Sequence, residues 1–277
     1  MAKKAENNIL ASKRPIGIFD SGIGGLTIAH ALSKAMPGES LIYFGDTAHL
    51  PYGDKSPDSI KYYSIRIAQL LLEKNCKMIV IACNTASALA YETVKDFVGN
   101  KALVVNVIDP LVQTVLANKK LKHIGVIGTK GTVKSDIYAK KLKAKKSSLQ
   151  VSSLATPLLA SMIEEGFFNN KISKTIINDY LSRPKLKGVD ALLLACTHYP
   201  LIRPEIEAFY GDSTIVWDSA EVVANYVSKV LKSKKIASPQ KTASHHFYVS
   251  DFTQSFEKST KFFFTKKIKL EEISLWK

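Results

Sequence analysis

The fold is decided by the stretch KMIVIACNTASA (residues 77–88), because the chain repeats its design in DALLLACTHYPL (residues 190–201). In both stretches a charged residue precedes a short apolar run, which ends in Ala-Cys and is followed by polar residues. Short continuous apolar runs are typical of buried strands. The repeat therefore predicts two similar α/β halves, each with one cysteine, Cys83 or Cys196, at the carboxyl end of a buried strand.

Strand-like and helix-like segments alternate on both sides of these stretches, which is typical of βαβ units and predicts mainly parallel sheets. The predicted strands are 15–19, 41–44, 78–82, 103–107, 123–127, 151–155, 191–195, 215–216 and 247–249. The predicted helices are 26–35, 58–74, 135–145, 158–165, 174–181 and 218–230, and residues 232–244 read as an exposed linker. Parallel sheets bind ligands at the carboxyl edge, so we expect the active site in a cleft between two α/β domains.

Composition limits the class of protein. Of the 277 residues, 46% are hydrophobic, and no apolar run approaches the roughly 20 residues that a membrane helix needs. Residues 1–14 are polar, do not resemble a secretory signal, and are expected to form a flexible tail. Three cysteines at no disulfide-framework spacing indicate free thiols and a cytoplasmic location.

The formal net charge of +15 suggests a nucleic-acid partner at first sight. The charge comes mainly from scattered lysines, and only four arginines occur in the chain. Phosphate and base-edge recognition favours arginine forks, so we expect a solvated lysine surface and no nucleic-acid or membrane partner. Such a positive field can still attract a small anionic substrate.

The two matched cysteines are the first candidates for chemistry. Each follows an apolar strand and precedes a predicted helix start, where the helix dipole and free N–H groups stabilise a thiolate. We expect the pKa of such a thiol to fall toward neutrality, which makes it a usable base. Most free cysteines are small buried hydrophobes, and Cys76, which lacks this context, is interpreted in that way.

The segment Asp20–Gly25, DSGIGG, follows the first predicted strand and precedes a helix. Its glycines allow close approach of the backbone to an anion, but Thr27 stands where a dinucleotide fingerprint needs its third glycine. Asp20 would repel phosphate, so the loop suits a zwitterion better, with N–H groups for a carboxylate and Asp20 for an ammonium or a thiol. A glycine-rich turn capped by Asp20 is the structural alternative.

Polar residues follow the other predicted strands at the same sheet edges and can donate hydrogen bonds to carboxylates. His198 could in addition relay a proton for Cys196. Glu164 is a carboxylate on a predicted helix face. These candidates are Tyr52, Gly53, Asn84, Thr85, Thr129, Thr132, Glu164, Thr197 and His198.

Five motifs together resemble the glutamate racemase family of the aspartate/glutamate racemase superfamily, over roughly residues 15–230. They are GIFDSGIGGLT, YFGDTAHLPYG, IACNTASA, VIGTKGTVKS and LLACTHYPLI, in the family order. The resemblance implies L/D-glutamate interconversion with no metal or cofactor, supply of D-glutamate for peptidoglycan, and a homodimer. It also implies that residues 15–107 and 217–277 form a first domain and residues 108–216 a second.

The resemblance assigns roles to individual residues. Cys83 and Cys196 match the catalytic acid/base cysteines, and Asp20 and His198 match the group that assists each thiol. The implied substrate-binding residues are Asp20, Ser21, Tyr52, Gly53, Asn84, Thr85, Thr129, Thr132, Glu164, Thr197 and His198. The family usually has arginine where this chain has His49, which weakens any expectation about charge at the pocket mouth.

Three other interpretations stay open from the sequence. The closest is a racemase of the same superfamily that acts on aspartate or a related acid. A zinc site could use Cys83, Cys196 and His198, although no CxxC pair or obvious fourth ligand is present. A nucleic-acid-binding protein with a decayed site would show salt-dependent DNA binding.

Overall fold

The computed structural model describes residues 12–264 and 267–276 of the chain. The strands within these residues are β1 (Ile16–Asp20), β2 (Leu41–Gly45), β3 (Met78–Ile81), β4 (Leu103–Asn106), β5 (His123–Gly128), β6 (Gln150–Ala155), β7 (Ala191–Ala195), β8 (Ile215–Asp218), β9 (His245–Val249) and β10 (Leu270–Glu272). The helices are α1 (Leu26–Ala35), α2 (Pro57–Glu73), α3 (Asn84–Val98), α4 (Ile108–Ala117), α5 (Lys130–Ser135), α6 (Ile137–Lys145), α7 (Pro157–Glu164), α8 (Lys171–Leu181), α9 (Arg203–Tyr210), α10 (Ser219–Ser233) and α11 (Gln254–Phe263).

The strands form two sheets in which every pair is parallel. The six-stranded sheet has the order β10-β9-β2-β1-β3-β4, and the four-stranded sheet has the order β6-β5-β7-β8. The prediction of an α/β fold with parallel sheets is therefore confirmed. Along the chain, the strands of the six-stranded sheet come before and after those of the four-stranded sheet. The domain boundaries themselves stay a prediction.

Local chemistry explains where the helices begin. Ser56 accepts a hydrogen bond from the Ser59 N–H at the start of α2. Pro57 fits the first position of the helix, because an N–H at that position would have no partner within the helix. Asn170 and Ser173 form a reciprocal capping box at the start of α8. The strands β1, β2 and β7 are buried along their whole length, as the apolar runs predict for central strands of a covered sheet.

Several elements differ from the sequence prediction. The helix predicted over 135–145 is interrupted at Asp136, whose φ of +56° separates α5 from α6. The predicted helices do not include α4, α5, α9 and α11, and for α3 only its start behind Cys83 is predicted. The aromatic run 262–264 lies at the end of α11. Phe263 and Phe264 are buried there, so their aromatic character reflects packing of a helix end.

Residues 1–11 of the predicted tail lie outside the described residues, but residues 12–14 can be assessed. The carbonyl of Ser12 accepts a hydrogen bond from Lys77 Nζ at 2.7 Å, and the Arg14 guanidinium donates to the carbonyls of Asn75 and Cys76. These contacts hold residues 12–14 against the amino end of β3, and the flexibility of the tail stays a prediction.

The predicted linker 232–244 is also partly anchored. Helix α10 continues to Ser233, and Lys77 Nζ donates to the Ile236 carbonyl at 2.9 Å. Glu39 accepts from the Ser238 N–H at 2.7 Å and forms a buried ion pair of 2.6 Å with Lys77. Among the residues described here, no helix is both long and apolar enough to cross a membrane.

Candidate active site

Cys83 lies between β3 and α3, at the N-cap position of the helix. Its sulfur accepts a hydrogen bond from the Ala86 N–H at 3.4 Å. The predicted helix start after this cysteine is therefore confirmed. The Ser87 hydroxyl donates to the Ile81 carbonyl at 2.9 Å, which ties the first turn of α3 to the end of β3.

The prediction of a lowered thiol pKa is wrong for Cys83 in this structure. Burial, together with the negative charge of Asp20, raises the pKa of the Cys83 thiol to about 12. The hydrogen bonds from the Ala86 N–H and the Ser21 side chain lower the pKa but do not offset burial. Cys83 is therefore a protonated thiol at neutral pH.

Cys196 directly follows β7, but no α-helix begins behind it, so the predicted helix start is wrong at this position. The Tyr199 N–H donates to the Cys196 carbonyl at 3.2 Å, and a 3₁₀ turn covers Tyr199–Ile202. Pro200 lacks the N–H that would make the first α-helical hydrogen bond to Cys196. Helix α9 therefore begins only at Arg203.

His198 connects Cys196 to Glu164. Its Nδ1 lies 3.6 Å from Cys196 Sγ, and its Nε2 lies 2.8 Å from Glu164 Oε1. Burial alone would lower the pKa of His198, but hydrogen bonds and charge interactions with Cys196 and Glu164 hold that pKa well above its usual value. The imidazole therefore keeps a proton at neutral pH and can donate toward Cys196.

Asp20 is fully buried at the end of β1. Its Oδ2 accepts hydrogen bonds from the Gly22 and Gly25 N–H groups at 3.3 and 3.0 Å. Its Oδ1 has no hydrogen-bond partner among the described residues. Burial raises the pKa of Asp20 above its usual value. The charge of His198 and the backbone N–H groups lower the pKa but do not offset burial. The glycine-rich loop thus serves Asp20 itself, and one carboxylate oxygen remains available.

The two thiols line one cavity. The volume of the cavity, counted together with its opening to solvent, is about 430 Å³. Cys83 and Cys196 are only 5% and 6% exposed, so the cavity reaches into the interior. The predicted site residues that line it are Ser21, Tyr52, Gly53, Cys83, Asn84, Thr85, Thr129, Glu164, Cys196, Thr197 and His198. Asp20 and Thr132 are buried beside the cavity and do not line it.

Three threonines from the two halves of the chain meet at the cavity. Thr85 Oγ1 lies 2.8 Å from Thr129 Oγ1 and 3.2 Å from Thr132 Oγ1. Thr129 also caps α5 by accepting from the Thr132 N–H. A Cβ on Gly131 would lie 2.9 Å from Thr85 Cγ2, so glycine is needed for this approach. Thr85 and Thr129 present their hydroxyl groups to the cavity wall, and Thr132 supports them.

Asn84 is oriented by a residue that sequence reasoning missed. The Tyr138 hydroxyl donates to Asn84 Oδ1 at 2.7 Å, across the two halves of the chain. Asn84 Nδ2 is buried and has no hydrogen-bond partner among the described residues. The amide therefore presents a donor at the cavity, which suits a carboxylate ligand. No local signal marks Tyr138, because its partner lies 54 positions away in the chain.

Other lining residues carried weak signals. Leu50 and Pro51 precede Tyr52, and Ala195 precedes Cys196, so their positions follow from their neighbours. Ala160 lies four residues before Glu164 on α7, the spacing that places two side chains on one helix face. His49 does not line the cavity. Its ring stacks on the Tyr63 ring, with the two ring centroids 4.0 Å apart.

Within residues 12–264 and 267–276, no group of three or more His, Cys, Asp or Glu side chains could hold a metal ion. The zinc alternative, which needs Cys83, Cys196 and His198 as ligands, gains no support from this geometry. His198 already uses its two ring nitrogens toward Cys196 and Glu164.

Comparisons with known proteins define the class. Residues 26–227 match the Asp/Glu/Hydantoin racemase family. The chain is 41% identical over 244 residues to a glutamate racemase of Geobacter metallireducens, covering 88% of this chain and 90% of that protein. It is similar to a crystal structure of glutamate racemase from Francisella tularensis in complex with D-glutamate. The TM-score is 0.89 at 36% identity, covering 96% of this chain and 99% of that one.

A crystal structure of glutamate racemase from Thermus thermophilus, in complex with beta-chloro-D-alanine, is also similar. Its TM-score is 0.85 at 31% identity, covering 95% of this chain and 98% of that one. The fold, the paired thiols and these matches together define an amino-acid racemase, an isomerase, and the chain belongs to the Asp/Glu/Hydantoin racemase family. Its relatives and structural neighbours within that family are glutamate racemases, as the sequence resemblance predicts.

Proposed function

We propose that this protein interconverts L- and D-glutamate without a cofactor, with Cys83 and Cys196 exchanging the α-proton from opposite faces of the substrate. The proposal extends to a cytoplasmic role, the supply of D-glutamate for peptidoglycan. The observation that carries it is the shared cavity, because both thiols line it while each comes from a different sheet.

The chemistry requires two acid/base groups. Inversion at the α-carbon needs a base on one face and an acid on the other, and the reverse reaction needs the opposite protonation pair. Two like groups satisfy both directions, which explains the matched cysteines. By family resemblance, Cys83 deprotonates the D-isomer and Cys196 the L-isomer.

The neighbours of the thiols supply the proton balance. His198 holds a proton beside Cys196 and is held in place by Glu164, so it stabilises a Cys196 thiolate. Asp20 has a free buried Oδ1, and its charge acts on Cys83. A bound substrate brings its ammonium group toward this carboxylate, which offsets the charge that disfavours the Cys83 thiolate.

The carbanion formed at the α-carbon needs electrostatic stabilisation, because the proposed reaction has no cofactor to delocalise it. Donors around the α-carboxylate serve this purpose in a cavity that excludes water. Asn84 Nδ2 supplies a donor without a partner among the described residues, and Thr85 and Thr129 supply hydroxyl groups. Both halves of the chain therefore contribute to substrate binding.

The test is to incubate the protein with L-glutamate in deuterium oxide and to follow D-glutamate and α-deuterium by chiral chromatography and NMR. We expect D-glutamate carrying deuterium at the α-position, and loss of racemisation in both Cys83→Ala and Cys196→Ala. Cys76→Ala is the matched control, because Cys76 is buried in the core away from the cavity lining.

Full racemase activity in either cavity variant would contradict the two-thiol mechanism. A substrate panel with L-aspartate and L-glutamate separates the two substrate assignments. Faster turnover of aspartate would overturn the assignment to glutamate while leaving the racemase class intact.

A further inference from the structure

Asp46, just after β2, is a buried carboxylate that lies outside the cavity lining. It has no exposed surface, and four side chains contact its two oxygens. The Tyr52 hydroxyl donates to Oδ2 at 2.6 Å, and the Ser250 hydroxyl donates to Oδ1 at 2.8 Å. Trp276 Nε1 donates to Oδ1 at 2.8 Å, and His49 Nδ1 lies 3.1 Å from both oxygens.

These partners come from distant parts of the chain. Tyr52 belongs to the wall of the cavity, whereas Ser250 follows β9 and Trp276 follows β10. The segment around Ser250 is itself fastened, because the Ala48 N–H donates to Ser250 Oγ at 2.9 Å. Asp46 therefore joins the segments that follow β9 and β10, on one side of the six-stranded sheet, to a wall of the cavity.

Aromatic packing strengthens the connection. The Trp276 ring packs edge-on against the rings of Tyr63 and His49, with centroid distances of 5.3 and 4.7 Å. His49 in turn stacks on Tyr63. The Tyr52 and Tyr63 rings lie 5.9 Å apart. His49, the residue that departs from the family arginine, is thus part of this cluster around Asp46.

A buried carboxylate is stable only when its hydrogen-bonding capacity is met. Removal of the Trp276 donor lets the carboxyl group shift, because Trp276 and Ser250 together fix Oδ1, and a shift of the group moves Oδ2, which holds Tyr52. Tyr52 is only 1% exposed, so its ring position is determined by this hydroxyl contact together with packing.

We propose that Asp46 is a positioning residue. It holds Tyr52 in the cavity wall by a hydrogen bond, and a hydrogen bond from Trp276 holds Asp46 in turn. The inference rests on the proposed racemisation only for its kinetic readout. The link itself is a structural statement, which can be measured without turnover. Residues 270–276 thereby contribute to substrate binding although they do not line the cavity.

The test uses Trp276→Phe, which removes the Nε1–H donor and keeps an aromatic ring. The chain has two tryptophans, so Trp217→Phe is a matched control on β8, in the other sheet. We expect Trp276→Phe to raise KM for glutamate by about three- to tenfold, the effect of one ordinary hydrogen bond, because Trp276 acts on the cavity only through Asp46 and Tyr52; kcat should change less than twofold. Hydrogen exchange should accelerate at the Lys55 N–H, which donates to the Tyr52 carbonyl.

Wild-type KM and wild-type exchange in Trp276→Phe would overturn the proposal, and so would an equal effect of Trp217→Phe. Tyr52→Phe tests the link from its other end, and the double variant Tyr52→Phe/Trp276→Phe should raise KM no further than the stronger single variant. Additive effects would contradict a single link. If the wild-type protein does not racemise glutamate, the proposed function fails, while the exchange measurement still decides the role of Asp46.

Discussion

At the scale of single residues, burial and pairing decide which groups of the site hold protons. Burial raises the pKa of Cys83 to about 12, against the stabilising effect of the helix N-terminus. At His198 the balance is reversed, because hydrogen bonds to Cys196 and Glu164 outweigh burial and raise the pKa. The site therefore contains a protonated Cys83 and a protonated His198 at neutral pH.

Glu164→Gln should lower the pKa of His198 toward its ordinary value. The amide keeps the shape of the side chain but removes the negative charge that stabilises the imidazolium, and its remaining oxygen is a weaker, uncharged acceptor. NMR titration of the His198 ring measures this shift directly. Glu165→Gln is the matched control, because Glu165 is exposed on the next position. An unchanged His198 pKa in Glu164→Gln would contradict the role of Glu164.

Tyr138→Phe should raise KM for glutamate by about two- to tenfold, the cost of one lost hydrogen bond. Without the hydroxyl group, Asn84 is no longer oriented with Nδ2 toward the cavity. Steady-state kinetics with both enantiomers measures the effect. Tyr91→Phe removes a hydroxyl group from α3 outside the cavity lining and serves as the control. Equal KM values in the two variants would argue against carboxylate binding by Asn84.

At the scale of elements, glycines allow loops from the two halves to approach closely. The Thr27 hydroxyl donates to the Thr197 carbonyl at 3.0 Å, which connects the start of α1 to the segment after β7. A Cβ on Gly24 would lie 2.5 Å from His198 Cε1 and 2.7 Å from Thr197 Oγ1. The glycine-rich loop therefore leaves room for the His198 ring beside Cys196.

Gly24→Ala should reduce kcat/KM strongly, by about tenfold or more, because a shift of about 1 Å in a catalytic group is costly. The added methyl group must displace either the loop or the His198 ring. Gly22→Ala in the same loop is the comparison, since its Cβ would meet Leu50 Cδ2 at an ordinary 3.6 Å. Kinetics of both variants test the argument, which fails if Gly22→Ala loses as much activity as Gly24→Ala.

At the scale of the whole molecule, two parallel sheets each deliver one thiol to a shared cavity. The site is then completed by pairs that join the two halves of the chain, such as Thr85 with Thr129 and Asn84 with Tyr138. The buried thiol also couples the site to global stability. Since Cys83 keeps its proton in the folded state, its ionisation opposes folding at high pH.

The free energy of unfolding should therefore fall as the pH rises from about 8.5, the pKa of an unfolded cysteine, to about 12. In this window the unfolded chain binds fewer protons at Cys83 than the folded chain does, so the contribution of the thiol decreases with pH. The slope from one proton is at most about 1.4 kcal/mol per pH unit. Urea unfolding of wild type and Cys83→Ala between pH 8 and pH 10 measures the difference, and parallel curves would contradict the raised pKa.

Most of the elements, and the placement of both cysteines behind apolar strands, can be predicted from sequence patterns alone. These features depend on short-range patterns, namely apolar runs, helix caps and turn residues, which need no knowledge of distant contacts. The break behind Cys196 is not predicted, although its cause is local: Pro200 cannot make the first helical hydrogen bond.

The protonation of the site residues, and the contacts that orient their side chains, could not be predicted without the packed structure. The pKa of Cys83, the orientation of Asn84 by Tyr138, and the link from Trp276 through Asp46 to Tyr52 all depend on partners far apart in the chain. Burial and pairing are properties of the packed molecule, because they arise only when the segments that exclude water or supply a partner come together.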